Sequence, residues 1–324
     1  MPLRDVIQQH RDHLLQKENV VGVGEGNGQV VVLVSRKKPM SALRTVDVVE
    51  RLLPDPQPLY MDAYPTDVIE VGDIRLLNDP NNDPNNYGLR PGASIGPKNR
   101  MWAGTCGCLV EKVVDDNKRI LCILTNNHVI ADNNLPIGTE IVHPSHIDAD
   151  ESGPKVVGKL LEYVPIVFDR PNYVDAAIGE VTNPDFVIGN DEIFEISGYV
   201  AINEQVYKTG RTSGRSEGTV LAKDATIQID FNGNLATFAG QIVTTAMLRP
   251  GDSGSVGVTT TNKLFGLGFA GSDEASLFNP IDVVFETLNL TLPDEESITL
   301  PAKPKKVCWL IDYIRYLFGP KDGF

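Results

Sequence analysis

The apolar positions near the start of the chain follow first a helical and then a strand-like spacing. From Leu3 to about Glu18 they recur every three or four residues, as on one face of an α-helix. Valine-rich runs then stand on both sides of the Gly-rich segment 25–28, which predicts a β-hairpin. No helix is predicted directly after these glycines, so a dinucleotide-binding loop is not expected.

A second helix and a further strand complete this first part of the chain. Ser41 is a suitable N-cap for a helix over residues 42–53, and Pro54 would end that helix. Residues 58–71 favour a strand. Residues 1–75 are therefore expected to form a small α+β domain.

The pattern changes twice after this region. Residues 76–102 are predicted to be a linker and entry segment, because Asn, Asp and Pro dominate residues 78–86. Across 103–290, short Val/Ile-rich runs alternate with turn-forming residues, which predicts a β-barrel or sandwich and a mainly β fold. The clearest of these runs are 120–125, 156–163, 176–181, 218–222, 226–231 and 264–269.

Composition and charge limit the binding partners and the compartment that we expect for this chain. A chain of 324 residues is long enough for two hydrophobic cores. Its net charge of −14 disfavours nucleic acid as a partner, because nucleic acid is bound largely through Lys and Arg, and it also disfavours an anionic membrane surface.

The start of the chain lacks the apolar run of a secretory signal, and four cysteines are few for a secreted chain. We therefore expect a cytoplasmic protein.

The last segment, residues 291–324, is predicted to be an acidic linker followed by an amphipathic helical tail. A bilayer span needs about 20 apolar residues, and Asp312 and Arg315 interrupt this shorter run. The tail is expected to pack on its own barrel, or else to dock to a second subunit or another protein, with membrane contact the least favoured alternative. Its apolar face consists of Val307, Leu310, Ile311, Ile314, Leu317 and Phe318.

Three short motifs, in the order His, Asp, Ser, carry candidate catalytic groups. His128 ends a strand of the buried type, Asp175 begins another, and Ser253 lies in a Gly-Asp-Ser-Gly sequence. A serine hydroxyl is a weak nucleophile unless an imidazole accepts its proton and a carboxylate orients that imidazole. The nearby glycines allow the backbone amides of Gly251 and Ser253 to converge on one point, as an oxyanion hole requires.

Each motif alone also fits a structural role, as a surface turn, a core histidine or a loop cap. Together, the chain resembles the trypsin/chymotrypsin superfamily of serine peptidases. It is most similar to bacterial trypsin-like peptidases that lack secretion signals and carry an extra N-terminal domain, to which the plant narrow-leaf proteins look related. The resemblance covers roughly residues 90–290, and its motifs are 103–108, 126–129, 175–178, 208–214 and 251–255.

The resemblance implies a double β-barrel and a serine endopeptidase with His128, Asp175 and Ser253 as its triad. The substrate would be a protein or peptide. No cysteine closely follows His128, so the disulfide that braces this loop in secreted relatives is not expected. In those relatives a freed N-terminal amine pairs with the Asp before the serine. Here a whole domain precedes Asp252, so we expect other donors to hold it and activity without zymogen cleavage.

The resemblance also implies where the substrate side chain before the scissile bond (P1) is bound. The base of that pocket would lie six residues before Ser253, at Met247, and the wall would be formed by Gly268, Phe269, Ala270 and Gly271. None of these five residues is a carboxylate or a histidine that could pair with a charged side chain. An apolar P1 residue is therefore expected.

A metal site in the segment 143–151 is a less favoured interpretation, because Pro144 prevents a helical face and the acidic run is typical of a solvated loop, although imidazoles and carboxylates are close in sequence there. The pair Cys106 and Cys108 is too closely spaced for the usual zinc knuckle. We therefore expect no metal or cofactor.

The alternative function is a catalytically silent or latent protease-fold scaffold that binds protein partners.

Overall fold

The structure, a computed structural model, describes residues 2–38, 59–61, 64–76, 88–115, 118–190, 195–231 and 233–294. The predicted helix at 42–53, the Asn-rich segment and the helical tail lie outside these residues. Strands predominate in the described part of the chain, so the prediction of a mainly β fold is confirmed. Within the described ranges no helix is long and apolar enough to cross a membrane.

The N-terminal helix and hairpin form where the hydrophobic spacing predicts them. Helix α1 (Leu3–Leu15) packs its apolar face on a hairpin of β1 (Val20–Gly26) and β2 (Gln29–Val34). Where one strand was expected over 58–71, there are two, β3 (Leu59–Met61) and β4 (Tyr64–Glu70), which pair antiparallel. The prediction of a single strand is wrong, because strand-forming residues give the same pattern whether the strand continues or folds back.

A first barrel of seven strands follows the short strand β5 (Arg75–Leu76). The strands are β6 (Ser94–Pro97), β7 (Gly104–Thr105), β8 (Cys108–Asp115), β9 (Lys118–Thr125), β10 (Glu140–His143), β11 (Lys155–Tyr163) and β12 (Ala177–Val181); helix α2 (Asn127–Ile130) follows β9, and a 3-10 turn (Pro184–Phe186) follows β12. Neighbouring strands pair antiparallel in the order β8, β9, β12, β11, β10, β6, β7. The chain runs from β7 directly into β8, which closes the ring.

The next strands are β13 (Glu195–Ile196), β14 (Gln205–Gly210), β15 (Gly214–Phe231), β16 (Asn234–Thr245), β17 (Val256–Thr259), β18 (Lys263–Gly271) and β19 (Ala275–Pro280). All of them except β13 form a second, six-stranded barrel in the order β14, β17, β18, β19, β16, β15, and pairing of β14 with β15 closes it. Helix α3 (Ile281–Thr287) then leads to β20 (Leu290–Thr291), which pairs with β8 of the first barrel. The predicted double barrel is therefore present.

Strand β15 replaces the two strands predicted at 218–222 and 226–231. Lys223 and Asp224 interrupt the apolar pattern, but the strand continues through them because its pairing with β16 is bulged at this point. A bulge accommodates extra residues without ending a strand. The prediction of two strands is therefore wrong.

The N-terminal hairpin extends the sheet of the second barrel. β1 pairs antiparallel with β15, with Gly22 opposite Ile227. A Cβ at Gly22 would lie 2.8 Å from Cγ1 of Ile227, so the close approach of these strands requires glycine. β4 adds in parallel to β2 on the far side, and β5 reaches back to β18. The N-terminal strands therefore continue the barrel sheet.

Candidate active site

His128 and Asp175 are brought together by the pairing of the strands next to them. His128 lies in α2 directly after β9, Asp175 lies just before β12, and β9 pairs with β12. Nδ1 of His128 lies 2.5 Å from Oδ2 of Asp175, and the backbone N of His128 donates to Oδ1 at 3.2 Å. Both side chains are buried. With Nδ1–H donated to the carboxylate, Nε2 keeps the lone pair that a general base needs.

Two asparagines fix the backbone of Asp175. Asn126 donates from Nδ2 to the carbonyl oxygen of Asp175 at 2.6 Å. On the other side, Oδ1 of Asn279 accepts from the backbone N of Asp175 at 3.0 Å, and Nδ2 of Asn279 donates to Oε1 of Gln241 at 2.7 Å. All of these groups are buried. The backbone of Asp175 is therefore held from both barrels.

Further asparagines brace the loop that carries His128. Asn127 donates from Nδ2 to the carbonyl of Val164 at 2.6 Å and accepts from the backbone N of Asn133 at 2.7 Å. Asn133 in turn donates from Nδ2 to the carbonyl of Ile166 at 3.0 Å. These bonds brace the loop, for which no disulfide was expected. Cys106, Cys108 and Cys122 are free and buried.

Ser253 lies on a sharp turn that packs against the first barrel. The turn requires glycine because Gly251 and Gly254 have φ of +91° and +93°. A Cβ on Gly254 would clash with Thr105 and Thr125, and the backbone N of Thr105 donates to the carbonyl of Ser253 at 2.8 Å. Because β9 ends at Thr125, this packing places Ser253 beside the start of the His128 loop.

The hydroxyl of Ser253 is not bonded to His128 in this structure. Oγ donates to the carbonyl of Phe269 at 3.4 Å, and the buried Nε2 of His128 has no hydrogen-bond partner within the described residues. The hydrogen bond that a Ser-His-Asp triad uses between Nε2 and Oγ is therefore not formed in this structure. Such bonds are commonly long without substrate and tighten in the complex.

The predicted oxyanion residues, Gly251 and Ser253, share this turn. Oγ1 of Thr105 donates to the carbonyl of Gly251 at 2.9 Å and accepts from the backbone N of Arg211 at 3.0 Å. A Cβ on Gly251 would lie 2.6 Å from Nη1 of Arg211. Thr105 and Arg211, neither of which was assigned a role from sequence, therefore hold the turn that carries the amides.

Asp252 is held by internal donors, as expected. Nζ of Lys208 lies 2.7 Å from Oδ2, and Oγ of Ser213 donates to the same oxygen at 2.5 Å. The backbone N atoms of Arg249 and Thr212 donate to the two carboxylate oxygens at 2.9 Å each. Burial lowers the pKa of Lys208 below its usual value, and the Asp252 carboxylate opposes this shift.

The segment considered as a metal site forms other contacts. Asp148 is buried and pairs with Arg211, so its assignment to a solvated loop is wrong, whereas Asp150 and Glu151 are exposed. Nδ1 of His143 lies 2.8 Å from the carbonyl of Ser94. No group of three or more His, Cys, Asp or Glu side chains in the described part of the chain could hold a metal ion.

The residues predicted to form the P1 pocket are only partly gathered around one cavity. Met247 and Gly271 line a cavity of about 770 Å³ between the N-terminal strands and the second barrel. The side chain of Met247 is buried in the barrel core, and a Cβ on Gly218 would lie 2.8 Å from its sulfur. The other predicted wall residues, Gly268, Phe269 and Ala270, are buried in β18.

No protein-family model matches the sequence, and no curated protein matches it. Among solved structures, Thermobifida fusca protease A is 20% identical, with a TM-score of 0.44 over 63% of this chain and 97% of that chain. A glutamic acid-specific serine protease is 17% identical, with a TM-score of 0.46 over 63% and 100%. Cellulomonas bogoriensis chymotrypsin is 17% identical, with a TM-score of 0.42 over 63% and 98%. At these identities the likeness concerns the fold alone.

Proposed function

We propose that the chain is a serine endopeptidase that acts through His128, Asp175 and Ser253. The observation that carries this proposal is the buried His128–Asp175 pair, whose 2.5 Å contact leaves Nε2 as a buried base without a hydrogen-bond partner among the described residues. A purely structural histidine at this depth would be expected to use both ring nitrogens. The glycine-supported turn of Ser253 packs against the same loop.

Catalysis would begin when bound substrate brings the Ser253 hydroxyl into hydrogen-bonding geometry with Nε2 of His128. Nε2 then takes the hydroxyl proton as Oγ attacks the scissile carbonyl carbon, and Asp175 stabilises the imidazolium. The amides of Gly251 and Ser253 would bind the oxyanion. The imidazolium gives its proton to the leaving amine, an acyl-enzyme remains on Ser253, and water hydrolyses it with His128 again as the base.

The finer parts of the proposal concern specificity and compartment. An apolar P1 residue follows from the resemblance, with Met247 and Gly268 to Gly271 as the pocket. A cytoplasmic location is supported by the three free, buried cysteines. The competing function, a silent scaffold that binds protein partners, is favoured by one observation, the absence of a hydrogen bond at Nε2 of His128 within the described residues.

Cleavage-site profiling tests the proposed function. Purified wild type and Ser253→Ala are each incubated for a long period with a proteome-derived peptide library, and new termini are identified by mass spectrometry. We expect new termini after apolar residues with wild type alone. Identical peptide sets from both proteins would contradict the peptidase, and cleavage only after Arg or Lys would contradict the pocket assignment.

A further inference from the structure

The edge of β18 beside Ser253 is built to accept an added strand. On one side β18 pairs with β19, and on the other side β17 covers it only as far as Leu267. The nucleophile turn then meets the strand, because the backbone N of Gly254 donates to the carbonyl of Gly268 at 2.9 Å. Past that point the same edge runs by the Ser253 hydroxyl, which donates to the carbonyl of Phe269.

An extended peptide binds such an edge through main-chain hydrogen bonds, as an additional strand. A peptide paired with residues 269–271 would pass Ser253 with its backbone along β18. Attack requires the scissile carbonyl carbon within about 3–3.5 Å of the nucleophile. This edge is therefore the position that an extended substrate needs.

The chain itself already fills that position. β5 pairs antiparallel with β18, with Leu76 opposite Ala270 and Arg75 opposite Gly271. Arg75 also pairs in parallel with Asp230 of β15. The backbone groups of β18 that a substrate strand would use are thus engaged by residues of the N-terminal region.

The segment 71–76, here called the strap, is anchored just before it reaches β18. Oγ of Ser272 donates to the carbonyl of Val71. The side chains of Val71 and Ile74 are buried in the same hydrophobic cluster as Phe269 and Ala270. The left-handed residue Gly72 packs against Ser272. The strap is therefore part of the folded second barrel.

We propose that the strap is an intramolecular inhibitor, in which β5 occupies the substrate strand position on β18 until it is displaced. This proposal rests on the proposed peptidase function. A tethered segment has an effective concentration in the millimolar range, so a micromolar peptide competes poorly. The apparent affinity for substrate falls by the fraction of molecules whose edge is open. A small probe that contacts only Ser253 and the oxyanion amides does not bind this edge, so it should react whether or not β5 is in place.

Proline substitutions test the strap without removing any catalytic group. In an antiparallel pair, facing residues either exchange two hydrogen bonds or none, so the double variant Arg75→Pro/Leu76→Pro covers both positions. Proline removes the backbone N–H that pairing needs. The matched control, Arg75→Ala/Leu76→Ala, keeps the backbone donors. The milder variant Ser272→Ala removes only the bond to Val71. Circular dichroism melting checks that each variant is folded.

Two measurements distinguish an effect on the strap from an effect on the catalytic groups. For a fluorogenic peptide of eight or more residues, we expect the double proline variant to lower KM at least about 10-fold with kcat unchanged, as relief of competition requires. The double alanine variant should behave as wild type, and Ser272→Ala should lower KM by a smaller factor. The rate at which a small fluorophosphonate labels Ser253 should be equal in all four proteins.

The outcomes discriminate between two failures. If all proteins are labelled but KM is the same in wild type and in the folded proline or Ser272→Ala variants, the inhibitory role of the strap is wrong and the peptidase stands. If no protein is labelled by the probe, the proposed function fails and the strap proposal fails with it. A proline variant that melts early is replaced by Ser272→Ala, whose unchanged KM would equally overturn the proposal.

Discussion

Arg211 and Asp148 form a fully buried ion pair that joins the two barrels. Nε of Arg211 donates to Oδ2 of Asp148 at 2.6 Å, Nη2 donates to Oδ1, and neither side chain is exposed to solvent. Asp148 belongs to the loop after β10, and Arg211 to the turn between β14 and β15. Because Arg211 also lies against Gly251, this pair links the barrel interface to the turn that carries Gly251 and Ser253.

Breaking this pair from one side should be strongly destabilising. Arg211→Met leaves a buried carboxylate without its cation, which costs about 3–5 kcal/mol of unfolding free energy. Replacing both groups, in Arg211→Met/Asp148→Leu, removes the unpaired charge and should recover most of that loss. Urea unfolding of the two single variants and the double variant measures the coupling. Additive losses in the double variant would show that the pair acts as two independent residues.

Substitution of the buried Lys208 should lower the reactivity of Ser253, whereas substitution of an exposed lysine should not. Lys208→Met leaves Asp252 with its hydroxyl and amide donors but without a cation, next to the turn of Ser253. We expect the rate of Ser253 labelling to fall at least about 10-fold, the equivalent of about 1.4 kcal/mol. The matched control is Lys263→Met, because Lys263 forms an exposed pair with Glu195 and should leave the labelling rate unchanged. Equal effects of the two substitutions would contradict the role of Lys208.

Local residue patterns predicted the fold class and singled out His128, Asp175 and Ser253 as the candidates that the proposal uses, because glycine turns, strand-length apolar runs and motif order are properties of short segments. The groups that orient the site were not predicted. Asn279 and Asp175 are 104 positions apart, and Arg211 and Asp148 are 63 apart. Asp148 lies in a short segment with Asp150 and Glu151, and this acidic run indicated a solvated loop. Only the closing of both barrels brings such residues together.

Asn279 should orient the general base. Asn279→Ala removes the acceptor for the backbone N of Asp175 and leaves that buried donor unsatisfied, which costs about 1–3 kcal/mol. We expect kcat to fall about 10- to 100-fold with little change in KM, because the group acts on His128 through Asp175. Steady-state kinetics on one peptide checks the split. A raised KM with unchanged kcat would place Asn279 in substrate binding instead.

The buried thiols should be unreactive in the folded protein. Burial raises the pKa of Cys106 and of Cys122 to about 12, and raises the pKa of Cys108 as well, since a thiolate is poorly solvated there. At pH 8 the thiolate fraction then falls by roughly a thousandfold relative to an ordinary thiol of pKa about 9. Iodoacetamide labelling, mapped by mass spectrometry, should be slow in buffer and fast in guanidinium. Rapid native labelling of these three cysteines would contradict their burial.

The most direct test of the triad is covalent labelling of Ser253. Intact-mass measurement after incubation with a small fluorophosphonate should show one adduct in wild type, and peptide mapping should locate it on Ser253. His128→Ala should slow labelling at least about 100-fold, because the base that activates the hydroxyl is gone. Ser253→Ala should not be labelled. An unlabelled wild type, or an adduct that persists in Ser253→Ala, would contradict the account.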